Sequence, residues 1–517
     1  MASSIGSSSF DVIVIGSGIG GLSCAAALTR TGRKALVLER HFAAGGLTQT
    51  FSRQGFTWDV GLHYLGEMGP DGLARRILDR LAARPIEFDS IGHVYDVMHF
   101  PGGFEFDYAR PQAALRRGLA ESFSEAHEDI DAYFRAVEAA AAAGRALFSG
   151  RALPAMFSNL TRFWHAGAIA RWWGRTTQEV LLELVRDARL RAVLAGQRSD
   201  YGPDPCETSF GIHATVTRHY FDGAYYPRQG AGAMADALIP VIEDGGGGVQ
   251  TRAEVVEILL EGSVVAGVRL RDGTIVRCPR VVSDTGALGT VSLLPAAARA
   301  SDWAREIASF RPSACHVQLY LGLEGDVRSC GATPSNHWFH DRWDLCDALW
   351  RDPENEPVPP TLFVSFPSLK STLTAPGARH TAEVIAFTAW EAFAPWGASQ
   401  IGRRPPQYAR FKRLIEERLL AEFTRHFPAL APMIVARDVS TPLSTLAFTG
   451  ALHGSVYGLE ASPRRFLSNS LHAHTPVPGL YLAGQDVASA GVTGAMMGGV
   501  LAAAAVEPRV FLQLPFL

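Results

Sequence analysis

The chain has 517 residues, too many for one simple hydrophobic core, so at least two domains are expected. Hydrophobic residues make up 47% and charged residues 19%, with a formal net charge of −3, a balance that suits a globular enzyme and excludes nucleic acid as an expected partner. The six cysteines are scattered, with no CxxC pair and no His/Cys ligand spacing, which reads as a reduced intracellular chain without a metal. The opening MASSIGSSSF has neither the basic nor the apolar segment of a secretory signal. The Gly/Ala-rich run 494–506 is too short to span a bilayer. A cytoplasmic protein is therefore expected, with peripheral attachment to the inner face of a membrane as the alternative.

In chain order, DVIVI (11–15) is an apolar run of the kind buried on both faces of a parallel sheet. GSGIGG follows at once, then LSCAAALTRTG as a small-residue helix and KALVLER as a second strand ending in Glu39. This unit opens a doubly wound sheet and carries a dinucleotide fingerprint. Gly16 permits the tight turn, Gly18 lets backbone approach a pyrophosphate, and Gly21 lets the helix close on the sheet; Ile19 and Gly20 complete the loop. The helix N-terminus offers N–H groups and a positive dipole end to the phosphates, and Glu39 stands where an acid takes ribose hydroxyls.

From about Asp71 to Arg198 the pattern turns largely helical, with alanine-rich and charged stretches. Near Gly230 the chain returns to the nucleotide domain: GAGAMADALIPVIEDGGGG reads as helix then loop. TRAEVVEILLEGSVVAGVRLRDGTIVRC follows as three strands with turns at Glu261-Gly262 and Asp272-Gly273. Between about Ala300 and Thr441, strands HVQLYLGL and EVIAFTAW accompany the helix QYARFKRLIEERLLAEFTRHF. The C-terminal GLYLAGQDVASAGVTGAMMGGVLAAAAV is strand, Gly-rich turn and helix again.

ERHFAAGGLTQTF places Arg40, Gly45, Gly46 and Leu47 just after the acid, and the segment at 479–499 is a second candidate cofactor element. This layout resembles the amine-oxidase-like FAD superfamily, whose nucleotide domain is assembled from distant pieces. The resemblance implies FAD, with Gly484 and Asp486 near the ribityl–phosphate region and Val492 and Thr493 near the flavin ring. It places the backbone of Val255 at the adenine. More closely, six segments resemble the FAD-dependent carotenoid isomerase and retinol saturase family, related to phytoene desaturases. They are DVGLHYLG (59–66), LAGQRSDYGPDP (194–205), HYFDGAYYPRQGAG (219–232), PSLKSTLTAPGARHTAEVIAFTAWEAF (367–393), GSVYGLEASPRRF (454–466) and GLYLAGQDVASAGVTGA (479–495). Ala461 is a departure, since the saturase-like pattern often carries His there.

The resemblance implies an α/β fold: a Rossmann-like FAD-binding domain with a doubly wound parallel sheet, and an interleaved α+β substrate-binding domain. Residues 1–70, 205–300 and 441–517 would form the first, and 71–204 and 301–440 the second. It implies action on C=C bonds of a long apolar polyene, by saturation or cis–trans isomerisation with hydride exchange at flavin N5. Desaturation of an isoprenoid is the alternative. An amine oxidase shares the fold but predicts a lysine near the flavin, and Lys34, Lys370 and Lys412 lie outside the cofactor motifs. A non-catalytic lipid binder of the Rab GDP-dissociation inhibitor type is a remote reading, opposed by the intact GSGIGG, Glu39 and GQD segments. No second Gly-rich βαβ unit for NADPH is evident, so an external electron donor or acceptor is expected.

Chemistry on a double bond needs a proton as well as a flavin. His63 and Tyr64 follow the segment that the superfamily places beside the cofactor, and either is a candidate donor. His453 and Tyr457 are candidates for the opposite wall; plain packing roles compete for all four. His219 and Tyr220 read as structural. LPAMFSNLTRFWHAGAIARWWGR puts Leu153, Met156, Phe157, Leu160, Phe163 and Trp164 at helical spacing, continued by Ile169, Trp172 and Trp173. Four arginines (151, 162, 171, 175) lie alongside. This segment suits either a membrane surface, which would be a further partner, or the lining or core of the substrate domain.

Overall fold

The computed structural model describes residues 9–514 apart from 154, 203, 345 and 375–378, with only the backbone for 155–162. VIVI and ALVL are apolar at every position and buried at every position, as strands covered on both faces must be. They sit in a five-stranded parallel sheet with the spatial order Leu480–Leu482, Val281–Ser283, Val12–Ile15, Ala35–Leu38, Gly248–Gln250. The first and last pieces of the chain thus share one sheet. The helices Ile19–Arg30 and Gly491–Val506 pack on each other at backbone distance: a Cβ on Gly499 would collide with the Gly20 carbonyl, and one on Gly498 with that of Gly484. Strands Val255–Glu261, Val264–Leu270 and Ile275–Arg277 form a separate antiparallel sheet that turns at Gly262 and Gly273.

A second large sheet has seven strands, in the order Ile434–Ser440, Cys315–Glu324, Arg379–Thr388, Thr361–Ser365, Asn336–His340, Val94–Phe100, Phe104–Ala109. It is antiparallel except where Asn336–His340 meets Val94–Phe100. One face packs on helices that include His127–Gly150, through Tyr95, Met98, Phe106 and Tyr108. The other packs on the long helix Pro406–His426, through Val317, Leu319 and Leu321. The α/β architecture with a parallel sheet and a second mixed layer follows the expected class.

One refinement and one correction arise. The stretch 71–198 is largely helical but not throughout: VYDVMHF and FEFDYA alternate with a period near two and pair around Gly102 and Gly103. Alanine-rich helices on the C-terminal side conceal that short hairpin in the sequence. Nor is the chain fully reduced: Cys206 and Cys346 form a disulfide with Cα atoms 5.9 Å apart. They stand 140 residues apart, a pairing no spacing rule reveals. With Asp204 they make the one metal-sized group among the described residues, and the disulfide uses both thiols. Among the described residues no helix is long and apolar enough to cross a membrane.

Candidate active site

A cavity of about 830 Å³ begins at the carboxyl ends of the parallel strands, at Ile15 and Leu38, and reaches Trp338, Phe363, Ile385 and Phe387 on the seven-stranded sheet. The carboxyl edge of an open parallel sheet is where such folds bind ligands. Three distant pieces of chain build this end. Gly16, Gly18, Ile19 and Gly20 come from the first loop, followed by Glu39 and Arg40. Gly45, Gly46, Leu47 and Val255 add the next part, and Gly484, Asp486, Val492 and Thr493 the last. Gly16 has φ 96°, a backbone state that side chains disfavour. Gly21 lies beneath the loop rather than on the wall, and a Cβ there would strike the Gly16 carbonyl.

Glu39 is held in place by its own neighbours. Its Oε2 accepts from the Ser17 N–H (2.9 Å) and hydroxyl (2.7 Å), and its Oε1 from the His41 N–H (2.7 Å). Asp486 is a bracket between chain segments: its two oxygens accept from Ala287 N–H (2.8 Å) and Leu459 N–H (2.9 Å), with Arg465 at 3.7 Å. Its carboxylate therefore fixes the Gly484 loop. Asp284 was not anticipated. It accepts the Gly21 N–H at 2.7 Å under the glycine loop, and burial pushes its carboxyl up to about 7. Its signal was present in VVSDTGALG, a second strand, turn and helix start resembling the first.

The cradle fits a dinucleotide with a polar ring system. Its wall around Gly18 and Gly46 is backbone, since a Cβ on Gly46 would come within 3.0 Å of Gly18 Cα. Thr493 Oγ1, on the first turn of the last long helix and on the cavity wall, is buried without a hydrogen-bond partner. A buried polar atom left unpaired by the protein marks a place for a ligand atom.

The far end is aromatic. Tyr64 and Tyr220 stack with centroids 4.6 Å apart, Phe387 and Tyr457 at 6.1 Å, and all four line the cavity. His219 also reaches the wall, yet its Nε2 accepts the Gly66 N–H at 2.9 Å, the structural role expected of it. His453 does not reach the wall; its ring stacks on Trp390 at 5.0 Å.

Behind these rings lies a buried polar cluster. His63 Nδ1 is 2.8 Å from Glu383 Oε2. Burial, and then the Lys370 cation, hold the His63 imidazole down to about 3, so it is neutral at physiological pH and has no imidazolium proton to give. Burial pushes Glu383 up to about 8, against the pull of Lys370 and a hydrogen bond from the Asp59 N–H. Asp59 takes the Tyr226 hydroxyl and the Ala231 N–H (2.9 Å), and burial followed by Glu383 pushes it up to about 7. Lys370 Nζ donates to the His63 carbonyl (2.7 Å), Asn336 Oδ1 (2.6 Å) and Ser365 Oγ (2.7 Å), and burial lowers it to about 8.

Asn336 Nδ2 in turn donates to Asp96 Oδ1 at 2.9 Å, and Gln197 Nε2 to Asp96 Oδ2 at 2.6 Å. Tyr64 Oη lies 2.6 Å from Asp200 Oδ2 and 3.1 Å from Asp96 Oδ2. Asp200 stands on the cavity wall at the end of the short turn Arg198–Asp200, which buried Arg198 pins to the large sheet through Thr361 (2.9 Å). Asp96, Asp200, Lys370 and Glu383 were missed as site residues. Their one local signal is a charge inside an otherwise buried run, as Glu383 shows in RHTAEVIAFT.

Residues 19–507 match the family described as flavin containing amine oxidoreductase. The chain is 32% identical to the all-trans-retinol 13,14-reductase of Rattus norvegicus, over 96% of this chain and 86% of that protein. It is 24% identical to the chloroplastic prolycopene isomerase of Daucus carota, over 96% and 79%. Among solved structures, an oxidoreductase from Methanosarcina mazei shares the fold, with a TM-score of 0.63 at 18% identity, covering 94% of this chain and 98% of that one. The cofactor is FAD, which the backbone-walled cradle and the unpaired Thr493 hydroxyl fit. The chain belongs to the flavin containing amine oxidoreductase family, in the group that includes the retinol reductases and prolycopene isomerases.

Proposed function

We propose that this protein is an FAD-dependent oxidoreductase acting on C=C bonds of a long apolar polyene of carotenoid or retinoid type, by saturation or cis–trans isomerisation. The observation that carries this reading is the continuity of the cavity, in which the dinucleotide cradle opens into a chamber walled by Tyr64, Tyr220, Phe363, Phe387 and Tyr457. Relatives named for retinol and prolycopene, both conjugated polyenes, support the substrate class. Bound flavin supplies hydride exchange at N5. The chain supplies the rest: glycine N–H groups and Glu39 hold the dinucleotide, stacked rings hold a flat polyene and exclude water, and the polar cluster behind them manages a proton. We assign 1–70, 205–300 and 441–517 to FAD binding, and 71–204 and 301–440 to the substrate.

Two partners complete the proposal. An external electron donor or acceptor resets the flavin. A membrane surface delivers the substrate, supported by Phe163 and Trp164, which are 75% and 79% exposed on the helix Ala155–Trp172. That helix has no acidic residue and packs along His127–Gly150, whose Ala141, Gly144 and Phe148 line the cavity. Its first half, with Met156, Phe157 and Leu160, lies outside the described side chains.

The test is anaerobic reduction of the flavin with dithionite, addition of all-trans-retinol or a cis-carotenoid, and mass and geometry analysis of the product. A gain of two hydrogens means saturation, and unchanged mass with altered geometry means isomerisation. A more unsaturated product from the oxidised enzyme means desaturation instead. A protein that transforms no polyene in either redox state overturns the proposal.

A further inference from the structure

We infer that Asp200 is a protonated carboxylic acid on the cavity wall and the group that delivers the proton to the polyene carbon. Tyr64 and Asp96 hold it in that state. The inference rests on the proposed polyene chemistry for its function and on geometry for its protonation.

Tyr64 has one hydroxyl hydrogen and two carboxyl neighbours, Asp200 at 2.6 Å and Asp96 at 3.1 Å. A phenol cannot donate to both at once. Both contacts are favourable only if one carboxyl carries a proton and donates to the phenol oxygen. Asp96 is the better carboxylate: burial raises it too, but it accepts amide N–H bonds from Asn336 and Gln197, which favour its charged form. Among the described residues, Asp200 has Tyr64 as the hydrogen-bond partner of its carboxyl, and it borders the apolar cavity. The consistent order is Asp200 O–H to Tyr64 oxygen, then Tyr64 O–H to Asp96 carboxylate.

The groups facing Asp200 favour this order. They are Asp96, Tyr64, Tyr95, Tyr201, Tyr220 and Tyr457, with Lys370 as the cation. Lys370 is committed to His63, Asn336 and Ser365, not to Asp200. Burial, and then the negative charge of Asp96, push Asp200 up to about 8. His63, neutral and backed by Glu383, leaves the acid role open.

In saturation the atoms balance as follows. One carbon of the double bond gains a C–H bond with hydride drawn from the reduced flavin. The π pair takes the Asp200 proton at the other carbon, and the Asp200 O–H bond breaks to leave a carboxylate. Two electrons leave the flavin, which an external two-electron donor restores; water entering after product release returns the proton to Asp200.

The experiment uses the flavin-loaded protein. Asp200→Asn keeps a donor toward the Tyr64 oxygen and so preserves the local bonds, and an unchanged flavin spectrum checks its fold. Without substrate, the infrared spectrum of the wild type minus that of Asp200→Asn should show a protonated-carboxyl C=O band at about pH 6 that disappears by about pH 10. In anaerobic single turnover, Asp200→Asn should lower product formation roughly 100-fold or more, with polyene affinity unchanged and partial rescue in Asp200→Glu. Absence of the band overturns the inference, as does an Asp200→Asn rate within about threefold of wild type. Should Asp200→Asn misfold, the spectrum of the wild type minus that of Asp200→Ser must show the same band titrating near pH 8, and its absence counts against the inference. If the wild type transforms no polyene, the proposed function fails, while the band still decides the protonation of Asp200.

Discussion

At the dinucleotide end of the cavity, Glu39 receives hydrogen bonds from Ser17 and His41, and Asp486 ties Ala287 to Leu459, so each acid locks chain segments together. At the polyene end, Asp59, Asp96, Asp200 and Glu383 share a small set of donors with one lysine, and burial pushes Asp59 up to about 7 and Asp200 and Glu383 up to about 8. A carboxylate supplied with fixed N–H donors serves as architecture. One short of donors in an apolar surround holds a proton near neutrality. Glu39, Asp486 and the raised Asp284 line one end of the cavity and Asp200 the other; in our proposal the first end binds and the second reacts.

The comparison breaks most visibly at Gly20. A Cβ there would strike the Asp284 carboxylate and lie 2.8 Å from Gly484 Cα and 3.0 Å from the Ala495 carbonyl. Gly20→Val is therefore expected to abolish flavin binding, read as loss of the visible flavin absorbance of the purified protein. A yellow holoprotein would refute the backbone-walled cradle.

Lys370→Met should cost about 3 kcal/mol, because it leaves the His63 carbonyl, Asn336 Oδ1 and Ser365 Oγ without their donor in a buried cluster. Urea unfolding measures it, and a loss under about 1 kcal/mol would mean that these acceptors find other donors without the lysine.

The third test is pH. Acids whose folded pKa stands above the unfolded value of about 4 bind more protons when folded, so their contribution is fully present below that value and lost as pH rises. For Asp59, Asp200 and Glu383 the loss runs through pH 7 to 8. The urea midpoint should fall across that window and fall less in Asp200→Asn. Glu507 works in the opposite sense: bonds from Arg509 and Arg33 pull it to about 2, so its contribution fades only as pH drops toward that value. A midpoint that is flat from pH 6 to 9 would remove the proton-holding account.

The smallest effect is expected at the surface. The double substitution Phe163→Ser, Trp164→Ser should change stability by no more than about 0.5 kcal/mol while weakening binding to vesicles of anionic phospholipid. Undiminished vesicle binding would remove this helix as the membrane contact.

Glu39 was legible as a residue of the nucleotide end because the βαβ unit that carries it to the cavity wall is local; its bonds to Ser17 and His41 were not read from the sequence. The turns at Gly262 and Gly273 were legible likewise, since short-range residue preferences determine them. The reactive end was legible only in part. His63, Tyr64 and Tyr457 reach the cavity, but Lys370 touches the His63 carbonyl across 307 residues and Asp200 meets Tyr64 across 136. Such contacts are made by the register of the seven-stranded sheet, two strands of which were hidden among helices. His453 illustrates the converse, since proximity in sequence to the C-terminal cofactor segment did not carry its ring to the wall.

The sheet that sets Val12–Ile15 beside Val281–Ser283, and that strand beside Leu480–Leu482, has a consequence for biogenesis. A nascent chain emerging from the ribosome displays GSGIGG early but has no wall on the far side of it until Gly484 and Thr493 follow. Cofactor capture thus waits for translation of the helix Gly491–Val506, and yellow colour counts only chains translated past it.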